Sequence, residues 1–300
     1  MKEQFEVFKF RQGTLKTIAQ ANDIIKEYSL KGFSLTLRQI YYQFVSRDFI
    51  PNTEKSYKNI GSIINNGRLA GLIDWQSIID RTRNLRGNTH WNSPGEIIES
   101  AAGSFKMDKW ENQDNYIEVW IEKDALIGVI SQVCSNLDIN YFSCRGYVSQ
   151  SEMWRASKRI KVNESNGKAC YIIHLGDHDP SGIDMTRDIQ DRLRLFGTEI
   201  DVKRIALNMK QVEKYKPPPN PAKISDSRFI NYMNKYGSES WELDALSPEV
   251  ISKLIEKNIK IFRDVTRWEL AADIERGYRD TLVDLAENWR DYTDKKNDDE

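Results

Sequence analysis

The sequence predicts a mixed protein, a helical N-terminal domain followed by an α/β domain on a parallel central sheet. Through the first 100 residues apolar side chains recur at helical spacing. From about Asn115 short apolar runs alternate with helical ones, the pattern of strands joined by crossover helices. The length of 300 residues leaves room for two domains with cores of their own.

Leu15, Ile18, Ile25 and Tyr28 mark a first helix, and Leu37, Ile40, Tyr41, Phe44 and Val45 a second, with Thr36 as N-cap and Pro51 beyond its end. A third helix is expected from about Glu54 to Leu69 and a short one from Trp75 to Ile79. Arg81 to His90 reads as a loop or wing, and the polar segment Trp91 to Asn115 as the domain boundary. Ile117 to Ile121 is then a strand and Ala125 to Val133 a helix. Ala169 to Leu175 is a second strand, followed by a Gly/Pro loop, a helix from Ile183 to Phe196 and a third strand from Val202 to Leu207. Pro217 to Pro221 is a stiff break, and helical segments lead to the C-terminus. Three regions result: 1–100, 115–250 and 251–300.

Charge is balanced overall, at −1, but unevenly spread. Lys31 to Arg86 holds nine Lys/Arg against four acids, and Asp280 to Glu300 eight acids against three bases. A basic N-terminal region and an acidic tail suggest nucleic-acid contact by one end. No run approaches the roughly 20 apolar residues of a membrane span, and the first residues carry charges where a signal peptide is apolar. Three cysteines, at 134, 144 and 170, with no Cys-x-x-Cys, argue against a disulfide framework or cysteine zinc site and fit a reducing cytoplasm.

Glu122 directly follows the first strand, and Gly176-Asp-His-Asp-Pro-Ser-Gly182 the second. Ligands gather beyond the carboxyl ends of parallel strands, so Glu122, Asp177 and Asp179 are expected to converge there. Three such carboxylates repel, and a hard divalent ion such as Mg²⁺ relieves them while keeping waters for phosphate oxygens. His174 reads as a core residue and neither it nor His178 as a ligand. Asp184 reads as an acid favoured by its helix dipole.

On the second helix, Tyr41 falls on the apolar stripe, whereas Tyr42 points away from it with Arg38 four residues before. The third helix carries Lys58, Ser62, Asn65 and Asn66 on one side, and the following loop Arg81, Arg83 and Arg86. Short polar side chains on a helix, then a basic loop, suit a winged-helix reader of double-stranded DNA, the arginines taking phosphates. A phenol is a weak nucleophile near neutral pH, and a bound Mg²⁺ would supply the charge stabilisation its attack on a phosphodiester needs.

In order, Leu37-Arg-Gln-Ile-Tyr-Tyr42, Glu122-Lys-Asp-Ala-Leu126, Gly176-Asp-His-Asp-Pro-Ser-Gly-Ile-Asp184 and Trp241-Glu-Leu-Asp-Ala-Leu246 resemble motifs of the topoisomerase VI A subunit and the related meiotic double-strand-break protein. The resemblance covers about residues 34 to 250 and rests on the ordered combination. It implies a winged-helix domain bearing a nucleophilic tyrosine, matched by Tyr42, with Arg38 as the catalytic arginine. It also implies a Toprim domain, with Glu122 as metal ligand or general acid/base and Asp177 and Asp179 as Mg²⁺ ligands. In that family two A subunits pair, each tyrosine works with the partner's Toprim site, and cleavage leaves a 5′-phosphotyrosyl link. A separate ATPase B subunit accompanies the known A subunits.

Gln39 stands where many members carry an acid, and the chain is shorter than a typical A subunit, closer to compact proteins of bacteriophages and bacterial mobile elements. Besides a Mg²⁺-dependent strand transesterase acting as a homodimer, two readings stay open. One is a Toprim endonuclease that uses water as nucleophile, the other a DNA-binding scaffold without turnover.

Overall fold

The structure is a computed structural model that describes residues 1–79, 87–289 and 291. Arg81, Arg83 and Arg86 lie outside the described residues. The N-terminal part is a helical bundle of α1 (Gln12–Leu30), α2 (Leu37–Ser46) and α3 (Glu54–Leu69), closed over Ile18, Ile24, Ile40, Phe44, Ile60 and Ile64. A capping box starts α2: the Thr36 hydroxyl accepts from the Gln39 amide nitrogen at 3.3 Å, and the Gln39 side chain accepts from the Thr36 N–H at 2.9 Å. Gln39 thus does at the helix start what a glutamate could do. Thr53 caps α3 in the same way, through the Ser56 N–H.

Then come α4 (Pro94–Ser104), β1 (Asn115–Ile121), α5 (Ile127–Asn136), β2 (Asn140–Ser143), α6 (Gln150–Ser165), β3 (Ala169–Leu175), α7 (Pro180–Leu195) and β4 (Asp201–Ala206). The four strands are parallel, in the order β2-β1-β3-β4. Alternation along β1 splits its residues between two layers. Ile117, Val119 and Ile121 meet Val129 and Ile130 of α5, while Trp120 packs with Met153 and Ile160 of α6 and Leu193 of α7. From β1 the chain moves one way along the sheet, to β2; from β3 it moves the other way, to β4. The carboxyl ends of β1 and β3 therefore flank the crevice where the strand order reverses.

The remaining elements are α8 (Met209–Tyr215), β5 (Asn220–Pro221), α9 (Phe229–Tyr236), β6 (Glu239–Ser240), α10 (Pro248–Lys260) and α11 (Val265–Glu287). Ile251, Ile255 and Ile259 of α10 complete the layer beside α5. After β6 the chain bridges to the loop beyond β3, with His178 and Trp241 exchanging backbone hydrogen bonds at 2.8 and 2.9 Å. A 3₁₀ turn, Leu243–Ala245, then inserts Ala245 into the core of the N-terminal bundle.

The mixed architecture with a parallel sheet is as expected, and the differences are local. β2 has only four residues at a sheet edge, two of them exposed. α6 carries many charges and buries little besides Met153, Ala156, Ser157 and Ile160, so its apolar signal is thin. The segment read as a polar boundary contains α4, which packs along α11 so closely that a Cβ on Gly95 would meet the Trp289 ring at 2.6 Å.

Candidate active site

The two loops at the crevice hold each other through backbone and side chain. The Glu122 carboxylate accepts from the Asp177 N–H at 2.8 Å, and Gly182, where a Cβ would clash with the Asp177 carbonyl oxygen, lets α7 start against this loop. Asp177 is nearly buried: one oxygen accepts from the Leu243 N–H at 2.8 Å, and the other pairs with the Lys123 ammonium at 3.0 Å. Asp179 caps α7, accepting from the Gly182 N–H at 2.6 Å and the Ser181 hydroxyl at 3.0 Å. Beneath them Arg204, from β4, donates to the carbonyl oxygens of Gly176, Asp177 and Gly182.

Burial raises the Glu122 carboxyl above the usual carboxylate range, and the Asp179 charge adds to the effect. Burial raises Asp177 as well, with Glu122 and Asp244 reinforcing it and Lys123 opposing. The crevice is short of positive charge even with Lys123 and Arg204 present. Among the described residues no three His, Cys, Asp or Glu side chains form a ready cage for a metal ion. The donor chemistry nevertheless fits Mg²⁺: Glu122, Asp177 and Asp179 offer hard carboxylate oxygens at one crevice, two of them raised by burial.

Tyr41 is buried, its hydroxyl donating to Asn52 Oδ1 at 2.7 Å. Tyr42, expected on the polar side of α2, is equally enclosed, each keeping 4% of its surface. The physical reason is the turn 243–245, which lies over that side of the helix. Arg38 stacks on the Tyr42 ring and donates to its hydroxyl at 3.5 Å. Its guanidinium is ion-paired with Glu242 and, at 2.7 Å, with Asp244. Lys123 meets the same two acids, at 2.7 and 3.0 Å. Burial, helped by Asp244 and Glu242, pushes the Tyr42 phenol well above its ordinary range, against the pull of Arg38 and Lys123.

A cavity of about 490 Å³ joins these parts: Tyr42 and Arg38 line one side, Asp177, Asp179 and Glu242 the other, and Thr53 and Glu54 at the start of α3 form its rim. Glu122 opens instead onto a second cavity of about 350 Å³, with Lys123, Arg145 and Asp244; Arg38 lines both. Lys58, Ser62 and Asn65 are exposed on the outer face of α3, with Lys58 paired to Glu54 at 2.7 Å.

His174 is fully enclosed, its Nδ1 2.8 Å from the Thr186 hydroxyl, and burial pushes it down to about 3. His178 packs in a cage of Tyr232, Tyr236 and Trp241. Asp184 belongs to a surface network with Arg187, Arg228 and the Tyr147 hydroxyl.

Sequence reasoning missed Lys123, Arg204, Glu242 and Asp244 as members of the site. A signal existed for each: Arg204 is charged within a strand, Lys123 adjoins Glu122 at a strand end, and Glu242 and Asp244 stand in the Trp241–Leu246 motif. No protein-family model and no curated protein matches the chain. Among the described residues no helix is long and apolar enough to cross a membrane.

Proposed function

We propose that the chain is a Mg²⁺-dependent DNA strand transesterase of the type IIB topoisomerase A-subunit kind, with a winged-helix N-terminal domain and a Toprim α/β domain. The observation that carries the reading is the cavity in which Tyr42 and Arg38 stand with Asp177 and Asp179 of the same chain, where the resemblance would pair each tyrosine with the partner's carboxylates. The Tyr42 hydroxyl gives up its proton to a base as its oxygen attacks a backbone phosphorus, forming a phosphotyrosyl ester on the 5′ side, while the bond from phosphorus to the 3′ oxygen breaks and that oxygen takes up a proton. Arg38, beside the phenol, offsets charge on the attacked phosphate, and Glu122, with its raised affinity for a proton, serves as general acid/base.

Glu122, Asp177 and Asp179 would hold Mg²⁺, which offsets charge on the phosphoryl and leaving oxygens. The reverse attack by the 3′ hydroxyl reseals the strand without ATP. Double-stranded DNA would contact the outer face of α3 through Lys58, Ser62 and Asn65. The resemblance adds a second copy of the chain and a separate ATPase subunit as partners, and a DNA-associated cytoplasmic setting.

Incubation with supercoiled plasmid and Mg²⁺, quenched with denaturant, tests the reading. Protein-linked broken ends are expected from the wild type and lost in both Tyr42→Phe and Asp177→Ala. Free ends that persist in Tyr42→Phe would replace it with a water-using endonuclease, for which the enclosed, hard-to-ionise phenol is the favouring observation. DNA binding without cleavage in any variant would leave a scaffold.

A further inference from the structure

Glu242 and Asp244 neutralise the same two cations from different sides. Asp244 is anchored beneath them, with 2% of its side chain exposed, on a turn fixed by the Leu243 N–H to Asp177 bond and by Ala245 in the bundle core. Glu242 lies on the open side, with 26% exposed, facing the Tyr42 cavity. One of its oxygens bridges Arg38 of the helical bundle and Lys123 of the sheet domain, while the other meets the Asn220 amide at 3.5 Å. A single anionic oxygen shared by a guanidinium and an ammonium is the arrangement in which proteins hold phosphate oxygens.

We propose that Arg38 and Lys123 form a phosphodiester-binding subsite, and that the Glu242 carboxylate occupies it as an internal phosphate mimic until a DNA backbone phosphate displaces it. The inference rests on the nucleic-acid reading above. Charge explains why displacement, rather than addition, is required. Two cations face three carboxylates here, those of Glu242, Asp244 and Asp177. A phosphodiester placed beside Glu242 would add a fourth negative charge to a partly buried cluster. In place of Glu242 it leaves the local charge unchanged.

Arg38 borders both cavities and Lys123 the second, so a phosphate held by the two in place of Glu242 lies between the Tyr42 side and the side lined by Glu122 and Arg145. The backbone phosphate then lies against the tyrosine. Asp244 keeps both cations in position throughout, and the side-chain movement needs no separation of the domains. Lys123 becomes a positioning residue for the phosphate, and Glu242 the group that sets how readily the subsite opens.

The test is fluorescence anisotropy of a fluorescein-labelled duplex oligonucleotide in EDTA, where binding is read without metal or cleavage. Removing a competitor that fills the subsite most of the time raises apparent affinity by the inverse of the open fraction, about tenfold for a subsite open a tenth of the time. Glu242→Gln is therefore expected to tighten binding about tenfold, and Glu242→Asp, too short to bridge both cations, to tighten it as well. Lys123→Met weakens binding, and in the Glu242→Gln/Lys123→Met double variant the gain disappears. Glu249→Gln removes the same charge at a distant pair with Lys31 and gives no gain.

Unchanged or weaker binding by a Glu242→Gln protein that keeps the wild-type melting temperature overturns the proposal. So does a gain that survives Lys123→Met or is matched by Glu249→Gln, and so does absence of DNA binding in every variant. Because cleavage is not measured, the subsite can stand where no tyrosyl-linked DNA forms, and can fail where such links do form.

Discussion

Arg204 grips the loop that carries Asp177: its guanidinium donates to the Asp177 carbonyl oxygen at 2.5 Å and to the Gly176 and Gly182 carbonyls at 2.9 and 2.8 Å. A side chain from the edge strand thereby fixes the curvature of the loop between β3 and α7. One planar fork donates to three carbonyls of this loop, and the Gly176 carbonyl also accepts from the Leu207 N–H at 2.7 Å.

Arg204→Met is expected to destabilise the protein by about 2 kcal/mol, because the Asp177 carbonyl loses the Arg204 donor, while the Gly176 carbonyl keeps the Leu207 N–H at 2.7 Å. Arg204→Lys recovers little, since one ammonium on a flexible stem does not reproduce the fork. Chemical denaturation of the two variants beside the wild type checks both statements. A Lys variant as stable as the wild type contradicts the need for planar geometry.

The suppressed ionisation of Tyr42 has a spectroscopic consequence. Its phenol stays protonated as pH passes the ordinary tyrosine value of 10.0, because burial and the Glu242 and Asp244 charges oppose the phenolate. Tyrosinate absorbance of wild type and Tyr42→Phe should rise identically through that region. A deficit of one titrating tyrosine in the variant would show that Tyr42 ionises freely.

Glu118 is buried on β1 beneath α6, where it accepts from Trp120 Nε1 at 2.8 Å, from the Tyr116 hydroxyl at 2.6 Å and from two nitrogens of Arg159 at 3.1 and 3.2 Å. Glu118→Ala strands all these donors and should cost about 3 kcal/mol in denaturant unfolding. Arg159→Ala alone also destabilises, and the double variant should cost less than the sum of the two. Additive losses would mean that the pair is not energetically coupled.

Asp184 supplies a pH dependence. Three partners, Arg187, Tyr147 and Arg228, overcome the opposing effect of burial and hold its carboxyl down at about 2, from an ordinary 3.8. A depressed carboxyl stabilises the fold fully above its unfolded value and loses that contribution as pH falls through its folded one. The stability gap between wild type and Asp184→Asn should thus be constant above about pH 4 and vanish toward pH 2. The group is largely solvent-screened, so the gap stays below about 1 kcal/mol. Thermal unfolding across this range reads it, and a gap that persists at pH 2 contradicts the assignment.

Both the N-terminal helices and the first two inner strands were legible because their apolar periodicity is strong and their caps are local. Thr36 with Gln39, and Thr53 with Ser56, announce α2 and α3 within four residues. Glu122, Asp177 and Asp179 could be drawn to one crevice because each follows β1 or β3. What stayed hidden depends on distant chain. Tyr42 reads as solvent-facing from its own helix and is covered only because residues 243–245 return across 200 positions of sequence. Lys123, Glu242 and Asp244 acquire their meaning from the same return, and no local spacing encodes it.

Ala245 is a small residue that belongs to the buried core of a bundle from the far end of the chain. The boundary drawn along the sequence near residue 100 is therefore not a seam in the folded protein. A fragment ending there would lack a piece of its own interior, and the bundle cannot swing away from the sheet domain without first withdrawing that piece. Ala245 thereby ties the bundle that bears Tyr42 to the turn that bears Asp244.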